Sequence, residues 1–556
     1  MAPLKEVAVV KKVLGIREII KENWKFLMVI IVGVILVYFN GMNADFVSDD
    51  YAAITQNPGI TNFWVTMGFK SVPGICNYIL AVLFGVKSPM PFHLLSLSLY
   101  IVVCLLAFIF VYLLYNRKLA IFTLLLFAFH PVHVEAVTWI SGRPYLLTTL
   151  FVLAALIGTI MYLNTKKYTY ILVMAVSLVL MFFTDKIRGF SYFLILGLIS
   201  VVFNERFKLL SDWKKYMKFL ILPIIVVAIF AYPMAIKRIG DVNSGYNTSE
   251  SIFYNPFFQY PTAITKYLQL LVLPLDLTLY HTMYIIPEWI NWAVILTFIG
   301  SLGYFYFKNK NLFFWLALIF LASAPSMLPV KVSWLVAERY VFFGSLGFCA
   351  FLSIILIKIW EKSKVVAVGL LGLILGMYGV RTYLRNIDWQ TNHNLWVRTC
   401  QVSPNSHNAW NNIGDDYDKL KQYDNAVKGF TQSTVVKPNY ADAYHNRANI
   451  FFKTGRLDLA RDSYNTALSY SPGLYQTYLS LVQIDLTENR LDLALDHSQK
   501  ALQIQQNNPQ AWYVFGVVLL NSGNQDKAKE AFKNALVLVP DFQPAKDALI
   551  MLMSKT

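Results

Sequence analysis

The sequence predicts an all-α protein in which a polytopic helical membrane domain precedes an α-solenoid of paired helices. Three observations carry this. The 556 residues are 56% hydrophobic and 14% charged, with a mean hydropathy of +0.49. The long apolar runs lie between residues 26 and 384. Beyond them the chain turns polar and repeats itself at a fixed interval. The division follows: a basic tail at 1–25, a membrane domain at 26–384, a linker and partial repeat at 385–403, and repeats at 404–556.

A helix needs about 20 apolar residues to cross a bilayer. Apolar runs, several of them short, fall at 26–40, 92–114, 119–132, 144–163, 169–184, 189–203, 219–236, 291–307, 311–328, 340–359 and 365–384. That makes about eleven spans. The stretch 262–275 is interrupted by Pro261 and Pro274 and reads as re-entrant or interfacial. The tail carries Lys5, Lys11, Lys12, Arg17, Lys21 and Lys25. Its Val9, Val10, Val13, Ile16 and Ile20 recur at helical spacing, which suits a helix lying along the membrane. Cytoplasmic loops carry excess Lys and Arg, so the tail is expected inside. The same choice places NRK (116–118), TKK (165–167), the loop 206–218, KNK (308–310) and EKSK (361–364) inside. Eleven spans then put the C-terminal repeats outside, beyond a bacterial plasma membrane or in an endoplasmic reticulum. The net charge of +16 is explained by these loops and implies no nucleic acid. The first span lacks a small-residue cleavage site and reads as an uncleaved anchor. Cys76 and Cys400 are expected outside, where a disulfide is chemically allowed. Four cysteines without paired spacing give no metal signature.

The repeat is explicit. Ala409, Ala443, Thr477, Ala511 and Ala545 recur every 34 residues. Ala426, Ala460, Ala494 and Ala528 follow in phase, then Ser433, Ala467, Ala501 and Ala535. Phe430, Tyr464 and Phe532 fill a large-residue slot from which Ser498 departs. Pro404, Pro438, Pro472 and Pro540 punctuate the units. This is the tetratricopeptide pattern. Trp396 lies one period before Phe430, so a partial repeat begins near Trp389, and the segment from 541 reads as a capping helix. Such arrays present a concave surface to a peptide or protein; a rigid spacer is the plainer alternative.

The outward loops hold the candidate chemistry. The first, 41–91, carries Asp45 and the adjacent pair Asp49 and Asp50. The second, HPVHVEAVTWISGRP, holds His130, His133, Glu135 and Arg143. The third has Asp185, Lys186 and Arg188, and a fourth Lys237, Arg238 and Asp241. A fifth has Asp276, His281 and Glu288, and the last Lys331, Glu338, Arg339 and Tyr340. Ionised groups at span ends on one face suit a reaction between a membrane-embedded anionic lipid and a polar acceptor. An Arg fork grips a phosphate, and a carboxylate takes the proton of an attacking hydroxyl. Each group also has a structural reading. Asp49 and Asp50 could cap a helix starting near Tyr51. His133 and Glu135 could be a hydrogen-bonded pair rather than metal ligands. Arg143, Arg188 and Arg339 could snorkel, and Glu338 could simply pair with its neighbour Arg339.

Four segments in order resemble the transmembrane and tetratricopeptide-repeat O-mannosyltransferases and, more broadly, the GT-C glycosyltransferases. They are FVSDDYAAITQNP, HPVHVEAVTWISGRPYLL, AERYVFFGSLGF and LWVRTCQVSPNSHNAWNNIG. The resemblance implies an enzyme with an extracytoplasmic site. It would take a sugar, mannose above all, from a polyprenyl or dolichyl phosphate and pass it to a protein hydroxyl. It places the catalytic acids on Asp49 and Asp50, a GR pair on Gly142 and Arg143, and an ERY motif on Glu338, Arg339 and Tyr340. On this expectation Asp49 is the base and Asp50 orients it, while Arg143, Lys186, Arg188 and Arg339 hold the donor phosphate. His133, Glu135, Glu338 and Tyr340 support the site. The lipid-linked sugar is a co-substrate and no cofactor is required; a divalent metal stays open only at His133 and Glu135. The expected partners are that donor, membrane lipids and an acceptor protein held by the repeats. A transporter would need broken helices around midplane polar groups. A polysaccharide polymerase or ligase would place basic residues in a long late loop.

Overall fold

The computed structural model describes residues 14–68, 71–185, 187–208, 256–282, 286–327 and 335–553. The expected span 219–236, Lys186, Lys237, Arg238, Asp241 and Lys331 lie outside them. The chain forms two compact units, Met1–Val402 and Ser403–Thr556. All regular structure among the described residues is helical.

Among the described residues, five helices of the first unit are long and apolar enough to cross a membrane: Ile16–Gly41, Met90–Leu114, Ile140–Thr165, Glu288–Lys308 and Lys364–Asp388. A sixth crossing is possible if the pair Arg117–Ala128 and Pro131–Thr138, bent by 59°, counts as one. Thr169–Thr184, Ser191–Val202 and Lys310–Ser323 occupy three more of the expected runs but are shorter than a full crossing, and Ser345–Lys362, of 18 residues, occupies a fourth. The stretch read as interrupted at Pro261 is one helix, Pro256–Val272, with the proline inside its second turn. The loop 41–91 also holds an unexpected helix, Val72–Phe84, capped by Ser71, whose Oγ accepts from the Gly74 N–H at 3.1 Å. At 13 residues it is too short to read as a span.

The expected span 119–132 ends early, at Ala128. Proline cannot donate to the helix and pushes its predecessor out of the α region. His130, before Pro131, accordingly sits at φ −67°, ψ 124°. The chain then turns into the short buried helix Val134–Thr138. This break carries Glu135 into protein rather than lipid.

The site lies where alternate helix ends meet. Asp50 follows Ile16–Tyr38, Glu135 lies between Arg117–Ala128 and Arg143–Thr165, Arg188 lies between Thr169–Thr184 and Ser191–Val202, Arg339 precedes Ser345–Lys362, and Arg385 is in the last turn of Lys364–Asp388.

The second unit is four helix pairs and a last helix. The pairs are His407–Lys419 with Tyr423–Val436, Ala441–Lys453 with Leu457–Tyr470, Tyr475–Thr487 with Leu491–Ile504, and Pro509–Asn521 with Gln525–Leu538. Gln543–Met553 follows. In three of the four pairs a small residue on the first helix stands opposite an aromatic on the second. A Cβ on Gly414 would meet Phe430 at 2.8 Å, and one on Gly516 would meet Phe532 at 2.6 Å. The positions equivalent to Gly414 are Ala448, Val482 and Gly516. Where Ser498 replaces the aromatic, the facing residue is the larger Val482, and both are fully buried. The volume has moved from one helix to the other.

Gly516→Val should therefore overpack that slot and destabilise the repeats by about 1–3 kcal/mol, read as a lower midpoint in thermal unfolding. Val482→Gly/Ser498→Phe, which restores the common arrangement, should lose less than Val482→Gly alone.

Candidate active site

The acidic pair divides its roles by burial. Asp50 is fully buried. Its Oδ1 accepts from the Ser141 N–H at 2.8 Å and the Ser141 hydroxyl at 2.5 Å, and its Oδ2 from the Val47 N–H at 3.2 Å. Burial pushes its pKa up to about 6, against the pull of the Ser141 bonds. Asp49 points out, and its carboxylate has no hydrogen bond or ion pair with a described residue. Neither caps the turn Tyr51–Thr55: Asp50 occupies the cap position but makes no side-chain cap bond.

Ser141 belongs to the turn that opens helix Arg143–Thr165. Gly142 is needed there for space, because a Cβ would lie 2.6 Å from the Glu135 carbonyl oxygen. Arg143 departs from the expectation of a phosphate ligand. It is buried, with Nη1 donating to Asn77 Oδ1 at 2.6 Å, Nη2 to the Phe92 carbonyl at 3.0 Å and Nε to Ser96 Oγ at 3.3 Å. Every nitrogen of the fork has a protein acceptor, so this side chain braces the turn instead of snorkelling.

Glu338 and Arg339 do not pair with each other. Glu338 accepts from Arg385, Nη2 at 2.9 Å and Nε at 3.3 Å, and from the Thr278 N–H at 2.6 Å, with His281 Nε2 at 3.8 Å. The Arg385 charge holds its carboxyl below the usual range despite burial, which acts the other way. Arg339 donates from Nη1 to Glu135 Oε1, and its N–H reaches Glu135 Oε2 at 2.8 Å. Two adjacent opposite charges thus serve two different elements.

Arg339 and Arg188 converge on one phenol. Tyr145 Oη accepts from Arg188 Nη2 at 2.6 Å and Arg339 Nε at 3.2 Å. Arg188 also pairs with Asp185. Both guanidiniums line a cleft with Tyr145, Tyr340, Thr148 and Ser191. Nη2 of Arg339 has no acceptor among the described residues. His133 and Glu135 go separate ways: His133 bonds Tyr100 Oη at 2.8 Å and Ser345 Oγ at 2.7 Å. Among the described residues no group of three or more His, Cys, Asp or Glu could hold a metal.

Arg385, Ser141 and Tyr145 were not singled out by sequence. Arg385 carried a signal: Arg381, Arg385 and Asp388 fall on one face of the last apolar helix, where charge is expensive. Ser141 and Tyr145 carried none beyond their neighbourhood to Arg143.

Tetratricopeptide repeat family models match residues 441–474 and 509–541. The chain is 27% identical over 480 residues to the mouse "Protein O-mannosyl-transferase TMTC3", covering 74% of this chain and 51% of that protein. It is 27% identical to the nematode "Protein O-mannosyl-transferase F38B6.6" of Caenorhabditis elegans, over 55% of this chain and 45% of that protein. Against the Drosophila melanogaster "Protein O-mannosyl-transferase Tmtc1" the figures are 22%, 70% and 59%. The chain resembles protein O-mannosyl-transferases over most of its length. It spans about half the length of the first two of these relatives. Among solved structures, a crystal structure of MamA protein aligns with 28% of this chain and 82% of its own at 19% identity and a TM-score of 0.25.

Arg385→Met should leave Glu338 buried without its main cation and cost about 3–5 kcal/mol, seen as a fall in thermal midpoint in detergent. Adding Glu338→Gln should recover part of that loss.

Proposed function

We propose that the chain is a membrane glycosyltransferase that moves mannose from a polyprenyl-phosphate donor to a hydroxyl of a protein acceptor on the extracytoplasmic face. The observation that carries this is the cleft where Arg188 and Arg339 meet, with Nη2 of Arg339 left without an acceptor among the described residues. A guanidinium fork with donors to spare suits a phosphate. The names of the relatives support the sugar and the protein acceptor. The turn 139–145 links the two halves of the chemistry, since Ser141 holds Asp50 and Tyr145 lines the cleft.

In this reading the acceptor oxygen attacks the anomeric carbon as the bond to the phosphate breaks, inverting that carbon in one displacement. The acceptor proton passes to Asp49, the exposed carboxylate. Asp50, held by Ser141 and Val47, fixes the loop that presents it. Negative charge grows on the leaving phosphate, where Arg188 and Arg339 stabilise it more in the transition state than before. Arg143 keeps its bracing role. The repeats hold the acceptor and raise its concentration near the site.

A reconstituted assay tests this, with labelled polyprenyl-phosphate sugars offered to a peptide pool. Asp49→Asn should lower turnover by about 10²–10⁴-fold, the usual contribution of a general base. Wild-type turnover in that variant would remove Asp49 as the base. Arg339→Ala should raise KM for the donor more than for the acceptor, and the reverse pattern would count against a phosphate role.

Asp50 sets a pH limit. Its orienting role needs the ionised form, so turnover should fall as pH drops through about 6, and Asp50→Asn should remove that limb. Stability has the opposite sign. The folded pKa is raised, so the protonated form favours the fold. This contribution is complete below the ordinary carboxyl value of 3.8 and is lost as pH rises through about 6.

A further inference from the structure

We propose that Asn392 is a positioning residue for the acidic pair, acting through the backbone of Ser48; the inference rests on the reading of Asp49 as the base. Ser48 stands immediately before the pair and has φ of 53°. That is the left-handed region, which a residue with a Cβ enters only against steric resistance. The position holds neither glycine nor asparagine, the residues that enter this region most readily. The turn closes locally, with the Asp50 N–H donating to the Val47 carbonyl at 3.1 Å and the Val47 N–H to Asp50 Oδ2 at 3.2 Å, and a further hold comes from a distant part of the chain.

The structure shows where from. The Ser48 N–H donates to Asn392 Oδ1 at 2.9 Å, across 344 residues of sequence. The segment leading into the turn is tied at three further points. The Asp45 N–H donates to the Gln390 carbonyl at 2.8 Å, and Gln390 Nε2 to the Asn40 carbonyl at 3.1 Å. His93 Nε2 meets the Ala44 carbonyl at 3.0 Å at its start. Of these ties only the one from Asn392 acts on the strained residue. With Ser48 in this conformation, Asp49 faces out and Asp50 faces in towards Ser141. Relaxing φ at 48 would rotate the following peptide and move both carboxylates. Asn392 therefore selects which acid meets the acceptor and which is locked. It opens the helix Asn392–Val402, the last element before the repeats in the chain.

The test compares kcat, KM and amide exchange. Asn392→Ala should lower kcat by about 10²-fold, the order that a misplaced catalytic group costs. KM for the polyprenyl-phosphate donor should hold, because Arg188 and Arg339 are untouched. Deuterium exchange at the Ser48 amide should accelerate. Ser48→Gly in the same background should restore most of kcat, since glycine takes positive φ without a Cβ clash. Ser48→Val, with Asn392 intact, should lower kcat in the same way because a β-branched residue resists this region. Wild-type kcat in Asn392→Ala or in Ser48→Val overturns the proposal. So does a failure of Ser48→Gly to rescue a folded Asn392→Ala protein, which would make Asn392 a general brace. Asp49→Asn separates the two ideas. If it turns over normally the base assignment falls, while exchange at Ser48 in Asn392→Ala still reports on the tie.

Discussion

The structure of the first unit turns on one requirement: carboxylates taken out of water must meet cations. Glu135 and Glu338 are both fully buried. An uncompensated charge in such a place is strongly destabilising. Glu338 and Arg339 are neighbours in sequence, and pairing them with each other would have met the need locally. Instead each reaches a different element, Glu338 the last apolar helix through Arg385 and Arg339 the break after Ala128 through Glu135. Three distant segments are thereby held in one register. Crossed pairs of this kind give specificity of arrangement more than raw stability.

The proposed chemistry grows on that frame. Glu135 sits in the short helix after the Pro131 break, and Gly142 lets the next turn close against that helix. The same turn supplies Ser141 to Asp50 and, one step on, Tyr145 to the two guanidiniums. Arg143 fastens it from beneath to Asn77, Ser96 and Phe92. Burial then separates two acids of identical chemistry. Asp50 is desolvated and fully bonded, whereas Asp49 is exposed.

Much of this was legible in the sequence because it is periodic or compositional. Apolar runs mark Met90–Leu114, Arg143–Thr165 and Thr169–Thr184 almost residue for residue. The 34-residue interval marks every helix pair of the repeats. What failed has physical causes. Pro131 ends a helix that hydropathy alone would continue, because hydropathy is blind to a missing N–H. Val72–Phe84 is too short to register as a span. Arg143 reads as a ligand when only its charge and its place at a span end are known. Its three acceptors come from residues 66, 47 and 51 positions away. Arg385 and Asn392 fell at a presumed domain edge, and their partners are 47 and 344 residues distant. Sequence shows which groups are charged, and long-range contact decides what they do.

The crossed pairs also set an order of events during synthesis. Glu135 is made 204 residues before Arg339, which at ~5–20 residues per second is an interval of about 10–40 s. Throughout it the acid has passed the ribosome but its cation does not exist. The nascent chain must therefore keep the segment 131–138 hydrated, protonated or within the insertion machinery until Arg339 arrives. Glu338 waits for Arg385 over a much shorter stretch, 47 residues. A break in a helix that looks like a folding defect thus gives the early acid a place outside lipid while it waits for its counter-charge.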